Sequence, residues 1–312
     1  MPTIDFAAGT FVSTPEERFA TLRDFPYTPR IGMWRGLRIA CIDEGPREAP
    51  VALLLHGEPT WSYLYRRMIP PLLAAGYRCV APDLPGFGRS DKPLDDNWYV
   101  IERHVECVRH LVDTLDLNRI TLFCQDWGGP IGLRQVVDQP MRFERLAIMN
   151  TWLHHPGYTY SDGIRAWREA AVNRMWLGWS DGNLPVGAIV ARSLRRPGHD
   201  RTALAAAYEL PFPDGGRSKA GARRFPWCIP FAEPKAGNAA DQARCFAALP
   251  ALGLPIHLIF GDADAVFTAD WGRQWAVQLP GATFDTVANA GHFVQEEAGE
   301  EVVDIFLRRR AG

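Results

Sequence analysis

Short continuous apolar runs alternate along this chain with stretches whose apolar residues recur every three or four positions. The continuous runs are Val51 to Leu55, Arg78 to Pro82, Ile120 to Phe123, Leu146 to Asn150, Ile256 to Phe260 and Phe284 to Val287. Runs of that length, rich in β-branched and aromatic residues, predict strands buried on both faces of a parallel sheet. A further strand is predicted across Trp34-Arg-Gly-Leu-Arg-Ile-Ala-Cys-Ile. Between them, Ile101, Val105, Val108, Val112 and Leu115 stand at helical spacing within residues 100–115. Other helices are predicted from Gly128 to about Gln139, around Trp271 and Trp275, and at the C-terminal end. The last has Glu296, Glu297, Glu300 and Glu301 early and Arg308 to Arg310 late, which suits its macrodipole. Near the N-terminus, Thr14-Pro-Glu-Glu17 predicts a helix start with Thr14 as cap and Glu17 reaching back.

Strands alternating with helices in this order predict an α/β chain with a mostly parallel, doubly wound sheet. From about Thr151 the pattern changes, and no strand-like run recurs until Ile256. The intervening amphipathic segments, rich in Trp, Tyr and Pro, predict a mainly helical insertion lying over the sheet edge. The division that follows is a core of residues 1–152 and 233–312 with an inserted helical cap of residues 153–232.

Composition narrows the partners. A net charge of −2 gives no electrostatic reason to expect nucleic acid or a membrane surface. The six cysteines show no CxxC or CxxxH spacing and mostly sit in apolar runs, so buried free thiols in a reducing compartment are expected, not disulfides or zinc ligands. The N-terminus lacks a basic and then apolar leader, and no segment approaches the ~20 apolar residues of a membrane span. A cytoplasmic monomer is the expectation.

Candidate chemistry centres on Cys124-Gln-Asp-Trp-Gly128, which directly follows a predicted strand and opens a predicted helix. Small residues two positions either side of a polar centre are the spacing of a nucleophile elbow, where a bulky Cβ would clash in a sharp turn. The centre is Asp126. A carboxylate there can attack a saturated carbon and leave an ester. Asp264 and His292 also follow predicted strands, and in a doubly wound sheet the C-terminal strand ends share one crevice. Nucleophile, acid and base then run in α/β-hydrolase order, with His292 as general base and Asp264 orienting its ring. Asp262 is a rival for the acid. Gly86-Phe-Gly88 lacks the remainder of a phosphate-binding loop and predicts a structural turn. His104 and His110 predict packed or solvated helix residues.

Four stretches carry a family resemblance: His56-Gly-Glu-Pro-Thr-Trp-Ser-Tyr-Leu-Tyr-Arg66, Pro82-Asp-Leu-Pro-Gly-Phe-Gly-Arg-Ser-Asp-Lys-Pro93, Gln125-Asp-Trp-Gly128 and Gly291-His-Phe-Val-Gln-Glu296. Together with Pro211-Phe-Pro-Asp214, the chain resembles the haloalkane dehalogenases, in the subfamily whose triad acid follows the seventh core strand. The resemblance spans nearly the whole chain and weakens between about 153 and 200. It implies an α/β-hydrolase fold with a helical cap, no cofactor beyond water, and a small halogenated aliphatic substrate that yields halide ion. It also implies an oxyanion hole from the backbone N–H groups of Glu58 and Trp127. Other branches place the acid after the sixth strand, where this chain has Asn150, so Asp264 is the better candidate.

A departing halide needs donors in a dry site, and an indole N–H is a donor without a lone pair. Trp127 is one candidate. Other branches take the second from a side-chain amide after His-Gly, but here Glu58 stands there, and its carboxylate would repel an anion. The second donor is therefore expected from Trp152, Trp167, Trp176 or Trp179, with Trp167 in Arg165-Ala-Trp-Arg168 the closest match to the family's cap position.

Three rival readings share parts of this pattern. An epoxide hydrolase shares the aspartate and histidine but needs two cap tyrosines, for which Tyr158, Tyr160 and Tyr208 exist. A fluoroacetate-type dehalogenase needs pocket arginines. A non-catalytic binder on the same scaffold predicts a damaged triad, and this one is complete.

Overall fold

A computed structural model of the chain describes residues 9–172 and 183–311. Eight strands form one sheet: β1 (Arg30–Trp34), β2 (Leu37–Glu44), β3 (Val51–Leu55), β4 (Arg78–Pro82), β5 (Ile120–Gln125), β6 (Phe143–Met149), β7 (Ile256–Gly261) and β8 (Thr283–Val287). Their order across the sheet is β8-β7-β6-β5-β3-β4-β2-β1. From β8 to β4 every pairing is parallel, and β2 and β1 add antiparallel strands at one edge. All residues of β3, β4, β5 and β7 are buried, as expected of strands covered on both faces.

The helices are α1 (Ile69–Ala74), α2 (Ile101–Thr114), α3 (Gly128–Asp138), α4 (Asp162–Val172), α5 (Val186–Ser193), α6 (Arg201–Glu209), α7 (Ala220–Arg224), α8 (Ala239–Ala248), α9 (Ala269–Val277) and α10 (Val294–Ala311). Neighbouring side chains of β5 show the two layers. Phe123 meets Phe306 of α10 at 4.8 Å between ring centroids. A Cβ at Gly132 of α3 would sit 3.0 Å from Leu122, which points the other way. Among the described residues between β6 and β7 there is no strand, only helices and turns. Of these, α8 is tied to α3 by Arg134–Asp241 at 2.7 Å and Arg244–Asp138 at 2.8 Å.

Two local expectations fail. The run from Trp34 to Ile42 is not one strand but a hairpin, turning at Arg35 and Gly36 with φ of 50° and 82°. Two successive positive φ values are what a two-residue hairpin turn of the right twist requires, and Arg-Gly hides that need better than Asn-Gly. At the N-terminus, Glu16–Thr21 is a 3₁₀ helix preceded by Pro15 with no side-chain cap. The Thr14 hydroxyl instead donates to Pro211 O at 2.6 Å and accepts from Lys92 Nζ at 2.9 Å. Distant partners outbid the local cap.

A buried ion pair joins this framework to the helical insertion. Arg66 holds Glu296 of α10 through two bonds of 2.6 and 2.5 Å, and Tyr208 of α6 donates to the same carboxylate at 3.0 Å. Arg66 and Glu296 are both buried. Removing one member strands the other without compensation, typically costing about 3–5 kcal/mol. Glu296→Ala is expected to lower unfolding stability by about that amount in urea titration, while an Arg66→Met/Glu296→Leu double substitution recovers most of it. Equal losses in both would show that the pair's charge is not what matters.

Candidate active site

Asp126 sits between the end of β5 and the start of α3, with φ of +51°. A non-glycine residue in that region costs about 1–3 kcal/mol and persists only when its surroundings hold it. Here the Asp126 N–H donates to Asn150 O at 3.1 Å, and its carbonyl accepts from Thr151 Oγ1 at 2.5 Å and Gly129 N at 2.9 Å. The turn is possible because its neighbours lack side chains. A Cβ at Gly128 would fall 2.1 Å from Leu55 O, and one at Gly129 would fall 2.0 Å from Thr151 Oγ1. A Cβ at Gly57 would meet Asp126 Oδ1 itself at 2.2 Å. This is the elbow geometry expected from the small–x–acid–x–small spacing.

The three residues singled out for a triad converge. His292 Nε2 lies 3.6 Å from Asp126 Oδ2, and His292 Nδ1 lies 3.0 Å from Asp264 Oδ2. Asp264 follows β7 and is otherwise saturated: Oδ2 also accepts from Asn150 Nδ2 at 2.9 Å, and Oδ1 accepts from Val266 N at 2.7 Å. Asp262, the rival acid, is exposed and accepts from Asn289 N at 2.7 Å instead. The Glu58 N–H donates to Asp126 Oδ1 at 2.8 Å. That leaves Asp126 Oδ2 as the carboxylate oxygen facing the imidazole. His56 supports the same loop: its Nε2 accepts from Leu84 N at 3.0 Å while its Nδ1 faces Gly57 O at 2.8 Å.

Two groups have perturbed acidity. For His292, burial pushes the imidazole down, but Asp264 first and then Asp126 outweigh it, and the group is pushed up to about 10. For Glu58, burial and then the charge of Asp126 push the carboxyl well above the usual range. From residue type alone, Glu58 is a charged carboxylate that would repel halide. In the fold the group resists ionisation, and its Oε1 is buried without a hydrogen-bond partner.

Trp127 is buried, edge-on to Trp152 at 4.7 Å and to Phe225 at 5.6 Å. Trp152 in turn stacks on Phe267 at 4.7 Å. Trp167, on α4, is half-buried and lines a cavity of about 300 Å³ with Ala171, Leu184, Arg224 and Pro226. Trp176 and Trp179 lie outside the described residues. Of the tyrosines an epoxide hydrolase would need, the Tyr160 hydroxyl lies 2.9 Å from His154 Nδ1, and Tyr208 is engaged by Glu296. His104 is packed among Trp98, Tyr99 and Phe225, and His110 is exposed beside Met33 O. All six cysteines are free and buried. Among the described residues no helix is long and apolar enough to cross a membrane, and no cluster of His, Cys, Asp and Glu could hold a metal.

Sequence reasoning missed two contributors. Asn150 entered only as the absence of an acid, yet it bridges Asp264 and the backbone of Gly261. Gln125 has no role of its own within the motif Gln125-Asp-Trp-Gly128, yet its amide reaches His292. The signal for both was their position one residue past, or at the end of, a strand next to the elbow.

Residues 50–176 match the alpha/beta hydrolase fold family. A haloalkane dehalogenase of Psychrobacter cryohalolentis is 41% identical, over 95% of this chain and 96% of that protein. One of Mycobacterium marinum is 40% identical, over 94% and 97%. Among solved structures, the tetrameric haloalkane dehalogenase DpaA from Paraglaciecola agarilytica superposes with a TM-score of 0.85 and 38% identity, covering 95% of this chain and 97% of that one.

The electrostatics give a direct test. His292 is expected to titrate near pH 10 in the ligand-free protein and at least one unit lower in Asp126→Asn, by NMR of its ring protons. Since its folded value lies above the ordinary 6.5, the charge stabilises the fold below pH 6.5 and is lost as pH rises towards 10. A wild-type value near ~6.5 would show the carboxylates do not control the ring.

Proposed function

Because this chain belongs to the haloalkane dehalogenases, we propose that it converts haloalkanes to a primary alcohol, halide and a proton through a covalent ester on Asp126. The observation carrying this reading is the division of labour on one carboxylate. Asp126 Oδ1 is held by the Glu58 N–H, while Oδ2 is left to attack and lies 3.6 Å from His292. In the first step Oδ2 forms a C–O bond as the carbon–halogen bond breaks, and the halide takes the electron pair. The buried Trp127 beside the nucleophile is the first halide donor. Trp167 is retained as the second on its match to the family position, and Trp152 is the alternative supported by its contact with Trp127.

In the second step His292 removes a proton from water, and the hydroxide attacks the Asp126 carbonyl carbon. The oxyanion that forms is the former Oδ1, already placed against the Glu58 N–H, with the Trp127 N–H as second donor. One such donor is commonly worth about 2.7–4 kcal/mol in the transition state. Collapse of that intermediate breaks the bond between the acyl carbon and the alkyl-bearing oxygen; the departing alkoxide takes the proton from His292 and leaves as the alcohol, and the new carboxylic acid gives its proton to solvent, which restores the Asp126 carboxylate. Asp264 holds the Nδ1–H tautomer and balances the imidazolium. Water is the only co-reactant.

The division into a core of residues 1–152 and 233–312 and a cap of 153–232 is supported by the lack of strands among the described residues between β6 and β7. Six free buried thiols support a cytoplasmic location. A monomer was expected, but the solved relative DpaA is described as tetrameric, which bears against it.

His292→Gln is expected to leave alkylation intact and block hydrolysis. Incubated with 1,2-dibromoethane, it should carry a stable adduct by intact mass, and an unmodified protein would contradict the two-step reading. Wild-type enzyme should release halide from a panel of short haloalkanes and leave styrene oxide and fluoroacetate unchanged. Bromide or iodide should quench tryptophan fluorescence saturably, and quenching that survives unaltered in both Trp127→Phe and Trp167→Phe would remove those indoles from the halide site.

A further inference from the structure

The imidazole of His292 is met from several sides. Asp264 after β7 faces Nδ1, and Asp126 at the elbow faces Nε2. Glu58 after β3 lies near enough to sense its charge. The rings of Phe293 and Phe267 pack on it at 4.8 and 5.7 Å. The remaining neighbour is Gln125, the last residue of β5, wholly buried. Its Nε2 lies 3.1 Å from His292 Nε2 and 3.1 Å from the His292 carbonyl oxygen.

The direction of this amide is set by chemistry. The His292 carbonyl only accepts, so the Gln125 atom facing it must be the NH₂ group; turning the amide over would press two oxygens together. The same NH₂ group therefore also faces His292 Nε2. It can donate to that nitrogen only when the ring is neutral and Nε2 carries a lone pair. Against the imidazolium it is donor against donor. Gln125 Oε1 is buried with no partner, so no alternative contact draws the amide elsewhere.

From this geometry we infer that Gln125 is a positioning residue that favours the neutral, proton-accepting form of His292 through its contact with Nε2. The inference rests on the two-step reading above, where it has a defined use. In the free enzyme the two aspartates favour the imidazolium. Once Asp126 is esterified, one of those charges is gone, and the ring must be neutral to take a proton from water. Gln125 adds its preference at that stage. Its anchor on the His292 carbonyl does not change with the ring's charge, so the donor stays in place through both steps.

Asp126→Asn serves as a stand-in for the uncharged ester and needs no turnover. In that background, Gln125→Met is expected to raise the His292 titration midpoint by ~1 unit by NMR, the scale of one hydrogen bond. Gln125→Leu, which likewise removes the donor without adding a charge, should raise it as far, and this variant carries the test if the Met variant does not fold. A residue with only a packing role would lower the melting temperature and leave the midpoint alone. Midpoints within ~0.2 unit of the parent in every variant that folds, or shifted downward, overturn the inference. In otherwise wild-type enzyme, the acid limb of alkyl-enzyme decay after 1,2-dibromoethane should move up by the same ~1 unit in Gln125→Met, about tenfold in rate on that limb. Uniform loss at all pH values without a shift also overturns it. If wild-type enzyme forms no alkyl-enzyme, the proposed function fails while the titration still judges Gln125.

Discussion

The site depends on one unfavourable backbone conformation held in place by its neighbours. Asp126 adopts a left-handed φ that its side chain disfavours, and the chain turns there from β5 into α3 with its carboxylate raised into the crevice. Main-chain and hydroxyl contacts from Asn150, Thr151 and Gly129 oppose the cost. The glycines at 57, 128 and 129 allow the approach, since each would place a Cβ about 2 Å from its neighbour. A relaxed turn would lower the carboxylate out of reach of both the Glu58 N–H and His292. Strain, close approach and catalytic geometry are therefore one feature seen at three scales.

Around that turn, three carboxyl groups and one imidazole share a buried space, and their surroundings sort them. Asp264 is saturated with donors from His292, Asn150 and Val266. Asp126 has one oxygen held and one free. Glu58 is buried and sits beside Asp126, so its charge is suppressed. The same functional group is in this way saturated, left with one oxygen facing an imidazole, or kept from ionising. Burial makes these differences large, because an unpaired charge away from water is costly.

Much of the frame was legible because it follows from short-range rules. A strand buried on both faces must be a continuous apolar run, and the runs at 51–55, 78–82, 120–125 and 256–261 obeyed that rule almost to the residue. An elbow must have small residues at fixed offsets, so its five-residue spacing was readable. The hairpin at Arg35-Gly36 and the fate of Thr14 were not readable, because a turn can be imposed by strand pairing and a cap lost to Pro211 and Lys92, both far along the chain. The pair Arg66–Glu296 stood inside two recognised motifs without any sign that the motifs were bonded to each other.

By itself, the sequence determined which chemistry was available: an aspartate at the nucleophile position, an acid and a histidine after later strands, and indoles nearby. These follow from residue identity and local spacing. What only the tertiary structure decided was the state of each group. Glu58 changes from a repelling charge to a suppressed one, Gln125 from one position in a motif to an amide against His292, and Trp152 from one candidate among four to the indole packed against Trp127. Acidity, hydrogen-bond direction and ring contact all depend on what stands within a few ångströms, and those neighbours come from strands and helices scattered across the whole chain.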